Sequence, residues 1–240
     1  MGHGLWDDLK KDVDRLGPIV DRWITQERVA HYVETIMCAP GPSTTTSITR
    51  AGVVEDLLQN QGLLDRGNLH FYRDYRGTGN TVVLTGNPGA DKDYWVFGHL
   101  DTVSYLVAPE EGGRYPLTPF CYHLMDSGRY RAHALRFDLD SMNYVIVDTG
   151  LLISEFGHPY YQKGSAKTQL RPGDRVIFDS HFAYEEESGA LRGLSDNAGA
   201  CGALLAAAPL VADLGVQALF ALTDEQEGPD GSGNQVIGRG

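Results

Sequence analysis

Three short groups of residues carry the chemistry in this chain: Gly98-His99-Leu100-Asp101, Ser195-Asp196-Asn197 and Asp224-Glu225-Gln226-Glu227-Gly228. An imidazole, an acidic residue that can bridge, and a closely spaced acidic cluster are the donors that hold divalent zinc and activate a water molecule. His99 can coordinate through one ring nitrogen if the other is held, and Asp101, two residues on, is placed to hold it. In the third group one carboxylate can bind metal while a neighbour, left unligated, takes a proton from water. Each group also has a plainer reading. His99 can be a satisfied histidine at a strand end, Asp196-Asn197 a helix cap, and Asp224 to Glu227 a solvated acidic turn.

Each group stands at the boundary of a secondary-structure element. Asp93 to Gly98 is a short apolar run that reads as a buried strand, so His99 and Asp101 fall at its carboxyl end, the edge where sites collect in open α/β sheets. Val216 to Leu222 is a second such strand and delivers Asp224-Glu225. Asn197 to Leu214 is Ala-rich and helical, with Pro209 expected to kink or split it. Upstream, Pro18 suits a first helical position, and the apolar spacing predicts one amphipathic helix over Pro18 to Met37. The hydroxyls of Ser43 to Ser47 offer N-caps for a further helix ending near Gln61-Gly62. Asn68 to Tyr75 and Thr81 to Thr85 read as extended.

From Val103 to about Ser180 the pattern changes to short strands, such as Tyr130 to Leu139, Tyr144 to Asp148 and Arg175 to Phe178, with Arg171-Pro172-Gly173-Asp174 as a turn. The expected fold is α/β: a mixed central sheet flanked by helices, with a β-rich insertion. The expected division is a first catalytic part over 1–102, an insertion over 103–180, and a second, incomplete catalytic part over 181–240.

Composition narrows the function classes. With 240 residues, 42% of them hydrophobic, the chain can bury a real core. A formal charge of -12 with 20 scattered Lys and Arg argues against a nucleic-acid or anionic-membrane surface. No stretch has the length of apolar residues that a membrane span needs, and Met1 to Leu16 is charged, so a cytoplasmic location is expected. Cys38, Cys121 and Cys201 lack paired spacing and read as small buried hydrophobes.

The order of these features resembles the dinuclear zinc aminopeptidases of the glutamyl or deblocking, tetrahedral-assembly type. The residues that carry the likeness are Ala39-Pro40-Gly41-Pro42-Ser43, Gly98 to Asp101, Pro172-Gly173-Asp174, Leu194-Ser195-Asp196-Asn197-Ala198-Gly199 and the acidic cluster before Gly228. The related branch of dipeptidases and acyl-amino-acid deacylases shares the Gly-His-x-Asp-Thr-Val form of Gly98 to Val103. The resemblance implies two zinc ions per complete site, with cobalt or manganese as substitutes. It implies His99 as a ligand, Asp101 as its orienting partner, Asp196 as the bridge and Glu225 as general base. It also implies a cis Asp196-Asn197 peptide, a peptide or N-acyl amino acid substrate, and a homo-oligomer assembled through the insertion.

Two departures stand out. Where the family has a second adjacent glutamate this chain has Gln226, a poorer zinc ligand than a carboxylate, and Glu227 is expected to take the position. On an extended strand Glu225 and Glu227 would share a face. The family's later acidic ligand and final histidine have no counterpart here, since Gly228 to Gly240 holds Asp230 and no histidine. A chain truncated at its C-terminus is the expected explanation. The alternative of another class is a non-catalytic scaffold or binding module with an incomplete metal site.

Overall fold

The computed structural model describes residues 3–120, 123 and 125–228. Helix α1 spans His3–Trp23 and α2 spans Gln26–Cys38. The single helix expected over Pro18 to Met37 is therefore the end of one helix and most of another. The break lies at Thr25, which is extended (φ -115, ψ 152) and whose hydroxyl accepts from Arg28 N at 3.2 Å, capping α2. Arg28 also donates to the carbonyls of Arg22 and Trp23, satisfying the end of α1. Pro18 is accommodated inside α1 rather than at a start.

Helix α3 (Arg50–Gln59) follows, then strands β1 (Leu69–Tyr72), β2 (Thr81–Thr85) and β3 (Tyr94–His99). After an intervening β region come helix α4 (Ala198–Asp213), unbroken through Pro209, and a returning strand of the central sheet at Ala218–Thr223. Pro209 neither splits the helix nor ends it. The central sheet is mixed: the returning strand lies between β2, to which it is antiparallel, and β3, to which it is parallel. Its register against β3 pairs Thr223 with His99, which aligns the carboxyl ends of the two strands.

One face of this sheet buries the main core against α2, α3 and α4, with Tyr32, Val33, Ile36, Leu58, Leu100, Cys201, Leu205 and Phe220 all inside it. Close approach of α2 and α4 depends on Gly202. A β-carbon there would stand 2.6 Å from Val33 Cγ2 and 3.0 Å from its backbone nitrogen. Gly202→Val is expected to cost about 3 kcal/mol by overpacking this contact. Denaturant unfolding monitored by circular dichroism should show a lower midpoint at unchanged slope; an unshifted midpoint would contradict the packing argument.

The region between β3 and α4 forms a second unit. Strands β4 (Tyr105–Val107), β5 (Tyr115–Pro119), β6 (Gly128–Asp138), β7 (Asn143–Glu155), β8 (His158–Gln162) and β9 (Arg175–Phe178) close into a barrel in the order β4-β5-β8-β7-β6-β9. Its own core includes Tyr105, Leu117, Ala132, Leu152, Tyr161 and Val176. The expected turn at Arg171 to Asp174 is present: Asp174 N donates to Arg171 O at 3.0 Å, and the Asp174 carboxylate accepts both Arg136 Nε and Nη2, at 3.0 and 2.6 Å. A small hairpin, β10 (Ala183–Glu185) and β11 (Ala190–Arg192), leads out of the barrel toward α4, and the strand at Ala218–Thr223 is β12. No helix among the described residues is long and apolar enough to cross a membrane.

Candidate metal centre

The site is built where β3 and β12 end side by side. Gly98 lets β3 lie close under α4, since a β-carbon there would meet Leu204 Cδ1 at 3.3 Å and Cys201 Sγ at 3.4 Å. Cys201 Sγ donates to His99 O at 3.1 Å, and burial pushes its thiol up to about 12, so it acts as a neutral prop. Cys38, in contrast, is exposed. Leu100 N continues the ladder to Thr223 O at 2.7 Å.

His99 faces two carboxylates. Its Nε2 lies 3.0 Å from Asp196 Oδ1, and its Nδ1 lies 3.3 Å from Asp101 O and 3.5 Å from Asp101 Oδ1. Burial opposes the charged imidazole, but the Asp101 hydrogen bond and the charges of Asp101 and Asp196 outweigh it, holding the pKa above the usual histidine value. Nε2 is thus the nitrogen turned to the outer carboxylate, with Nδ1 turned inward.

Asp101 is fully buried and does more than orient His99. Its carboxylate accepts Glu227 N at 2.8 Å and Gln226 N at 3.3 Å, which bends the chain after β12 back over the end of β3. The extended continuation expected through Glu225 and Glu227 is replaced by a turn: β12 stops at Thr223, and Glu225 adopts φ 65 in the left-handed region. Amide bonds to Asp101, rather than strand alternation, bring Glu227 inward while Gln226 stays exposed. If His99, Asp196 and Glu227 hold a divalent metal, Asp101→Asn is expected to weaken its binding about 10- to 100-fold, as loss of a partner that orients a ligand does. Competition with a chromogenic chelator measures this; wild-type affinity would remove Asp101 from the centre.

His99, Asp196 and Glu227 offer ligand atoms that all lie within 4.8 Å of one another. Among the described residues this is the one group of three such side chains so placed. One imidazole and two carboxylates are an N/O donor set that zinc, cobalt and manganese accept. Glu227 is buried, whereas the Asp196 side chain is 83% exposed, so the group opens to solvent on its Asp196 side. The Asp196-Asn197 peptide is cis, as the resemblance implies, and Asn197 caps α4 without a side-chain hydrogen bond. Glu225 shares the turn, half-buried and outside the group of three. Asp230 lies outside the described residues.

Several supports carried no signal in the sequence pattern. Asp224 is buried and accepts Thr44 N at 2.8 Å and Thr46 N at 3.0 Å, while its own amide donates to Asn80 Oδ1 at 2.8 Å. Burial raises its pKa, and these amide bonds oppose that rise. The threonines expected to cap α3 are therefore used otherwise: their amides bind Asp224, and Thr45 Oγ1 donates to Pro42 O at 2.6 Å. The cap position of α3 is Thr49, whose hydroxyl makes no capping bond and donates instead to Thr45 O at 2.9 Å. Gly41 and Pro42 pair with Thr102, directly after Asp101. Arg50, at the start of α3, donates to Leu100 O at 2.7 Å, Ala39 O at 3.0 Å and Met37 O at 3.5 Å from a buried position. A mixed sheet packed on helices, with a barrel inserted between its parallel strands β3 and β12, is a fold that solved structures share.

A TET aminopeptidase from the marine-sediment archaeon Thaumarchaeota SCGC AB-539-E09 superposes with a TM-score of 0.61 at 15% identity, over 84% of this chain and 60% of that one. The Pyrococcus horikoshii TET1 peptidase, which can assemble into a tetrahedron or a large octahedral shell, does so with a TM-score of 0.55 at 17% identity, over 83% and 62%. An endoglucanase from Thermotoga maritima does so with a TM-score of 0.55 at 18% identity, over 81% and 60%. At these identities the likeness shows a shared fold. This chain spans about 60% of the length of such structures. No family model matches the chain, and no curated protein sequence does.

Proposed function

We propose that this chain carries the active centre of a zinc-dependent aminopeptidase. The observation that carries the reading is the convergence of His99, Asp196 and Glu227 on one point at the aligned ends of β3 and β12. In this reading residues 1–102 and 181–240 belong to one catalytic unit, and 103–180 is an insertion through which copies of the chain associate. The aminopeptidase and peptidase names of two structural neighbours, and the shells formed by one of them, support the reading.

His99, Asp196 and Glu227 are the residues that would hold a divalent metal. When bound there, a divalent cation supplies Lewis acidity that polarises a scissile carbonyl and makes a nearby water more acidic. Asp101 fixes the imidazole and the turn that carries Glu227. Glu225, in the same turn, takes the proton from the attacking water and passes it to the leaving amine, so the C–N bond breaks as the C–O bond forms. The open side at Asp196 admits the substrate.

The test is zinc content by elemental mass spectrometry together with initial rates on L-leucine p-nitroanilide and on N-acetyl-L-leucine. Retained zinc and cleavage of the free-amino substrate support the proposal. Turnover of the N-acyl substrate alone moves the chain to the deacylase branch. Absence of both metal and turnover would overturn it in favour of a scaffold or binding module.

A further inference from the structure

A cavity of about 590 Å³ opens between the barrel and the segment that leads to Asp196. Two of its walls are close in sequence to the site: Val103 follows Asp101 by two residues, and Leu194 precedes Asp196 by two. The rest of the lining is mainly apolar and aromatic, with Tyr105, Met125, Tyr130 and Phe178 prominent. The rings interlock edge to face, Phe178 standing 6.1 Å from Tyr105 and 5.7 Å from Tyr130 at interplanar angles of 83° and 85°. Such packing makes a preformed apolar wall within the usual size range of a ligand pocket.

The charged groups at the rim say what the cavity excludes. Asp179 is the lining carboxylate, and both its oxygens are engaged, one by Arg131 Nε at 2.9 Å and one by His133 Nε2 at 3.1 Å. Arg129 and Arg131 are also in the lining. A lysine or arginine side chain entering here would meet two guanidinium groups and a single carboxylate already engaged by Arg131 and His133, a setting that disfavours a further positive charge. A large uncharged side chain would gain apolar burial at no such cost.

We propose that this cavity receives the bulky apolar or aromatic side chain of the substrate residue whose bond is cut at the metal centre. The assignment rests on the hydrolase reading above and adds to it a substrate class. A phenylalanine or leucine side chain is selected over alanine by about 10²-fold in kcat/KM, the scale that hydrophobic pockets reach, and lysine is the poorest.

The experiment uses the full chain and compares initial rates on the p-nitroanilides of L-phenylalanine, L-leucine, L-alanine, L-lysine and L-glutamate. Calorimetric binding of L-phenylalaninamide and L-alaninamide is measured alongside. Leu194 is 48% exposed, so Leu194→Trp can fill the cavity mouth without crowding a core; Val103→Trp is the second filling variant. With zinc content retained, either variant should reduce the phenylalanine-to-alanine ratio to below about 5-fold. A wild-type ratio in both variants, or a wild-type preference for lysine or glutamate, overturns the pocket assignment and leaves the hydrolase reading standing. Conversely, if no anilide is cleaved but phenylalaninamide binds more tightly than alaninamide and the variants erase the difference, the hydrolase reading fails and the cavity remains an apolar side-chain site. No turnover and no amide binding would overturn both.

Discussion

Replacing His99 by alanine is expected to abolish zinc retention and to lower amide hydrolysis about 10³-fold or more, whereas Glu225→Ala keeps the zinc and loses about 10²- to 10⁴-fold in kcat. The two variants separate because the residues stand differently in one turn and strand pair. His99 is one of three donors whose ligand atoms lie within 4.8 Å, and its removal leaves Asp196 and Glu227 as two carboxylates with no nitrogen donor. Two hard oxygen donors hold zinc poorly, since zinc sites are built from three or four ligands that include nitrogen or sulfur. Glu225 lies outside that group, so its loss removes the proposed proton acceptor and leaves the donor set whole. Elemental analysis of both proteins beside single-turnover rates gives the answer. Zinc lost in Glu225→Ala would make Glu225 a ligand; wild-type turnover in that variant would sink its assignment as base.

The second large effect is on the fold. Arg50→Met is expected to destabilise the chain by about 3–5 kcal/mol, because it strands buried backbone carbonyls that lose their donor. Arg50 is 3% exposed, and burial lowers its pKa to about 10, so it remains charged at neutral pH. Its guanidinium is satisfied by three backbone carbonyls that belong to different pieces of the chain: Met37 at the end of α2, Ala39 just after it, and Leu100 next to Asp101. Methionine can fill the space but donates nothing, and each stranded buried carbonyl costs about 1–3 kcal/mol. Because Leu100 sits between His99 and Asp101, the same variant should weaken zinc binding as well as lower the midpoint of denaturant unfolding. An unchanged midpoint would show that these carbonyls find water instead.

Legibility in the sequence followed the range over which each cause acts. β2 over Thr81–Thr85 and β9 over Arg175–Phe178 are bounded as their apolar, β-branched runs predict, because a short run between turn residues has one way to be extended. The division between α1 and α2 is not legible in the sequence because Thr25 interrupts an apolar periodicity that runs on through both helices. Pro209 was expected to break α4, yet the helix continues, its apolar length held between the sheet and α2. Glu227 was the residue expected beside His99, but for a reason that does not hold: extension ends at Thr223, and two backbone amides bonded to Asp101 turn it inward.

By itself the sequence determined the donor types, their order and their position at element ends. Those properties are local, written in turn residues and in runs of a few side chains. Only the tertiary structure decided that Thr223 lies opposite His99, that Asp101 binds the turn after β12, and that Arg50 and Asp224 tie the segments around Leu100 and Thr44 together. Strand register and buried polar pairing are set by packing between residues far apart in the chain, and such packing leaves no periodic trace in either partner.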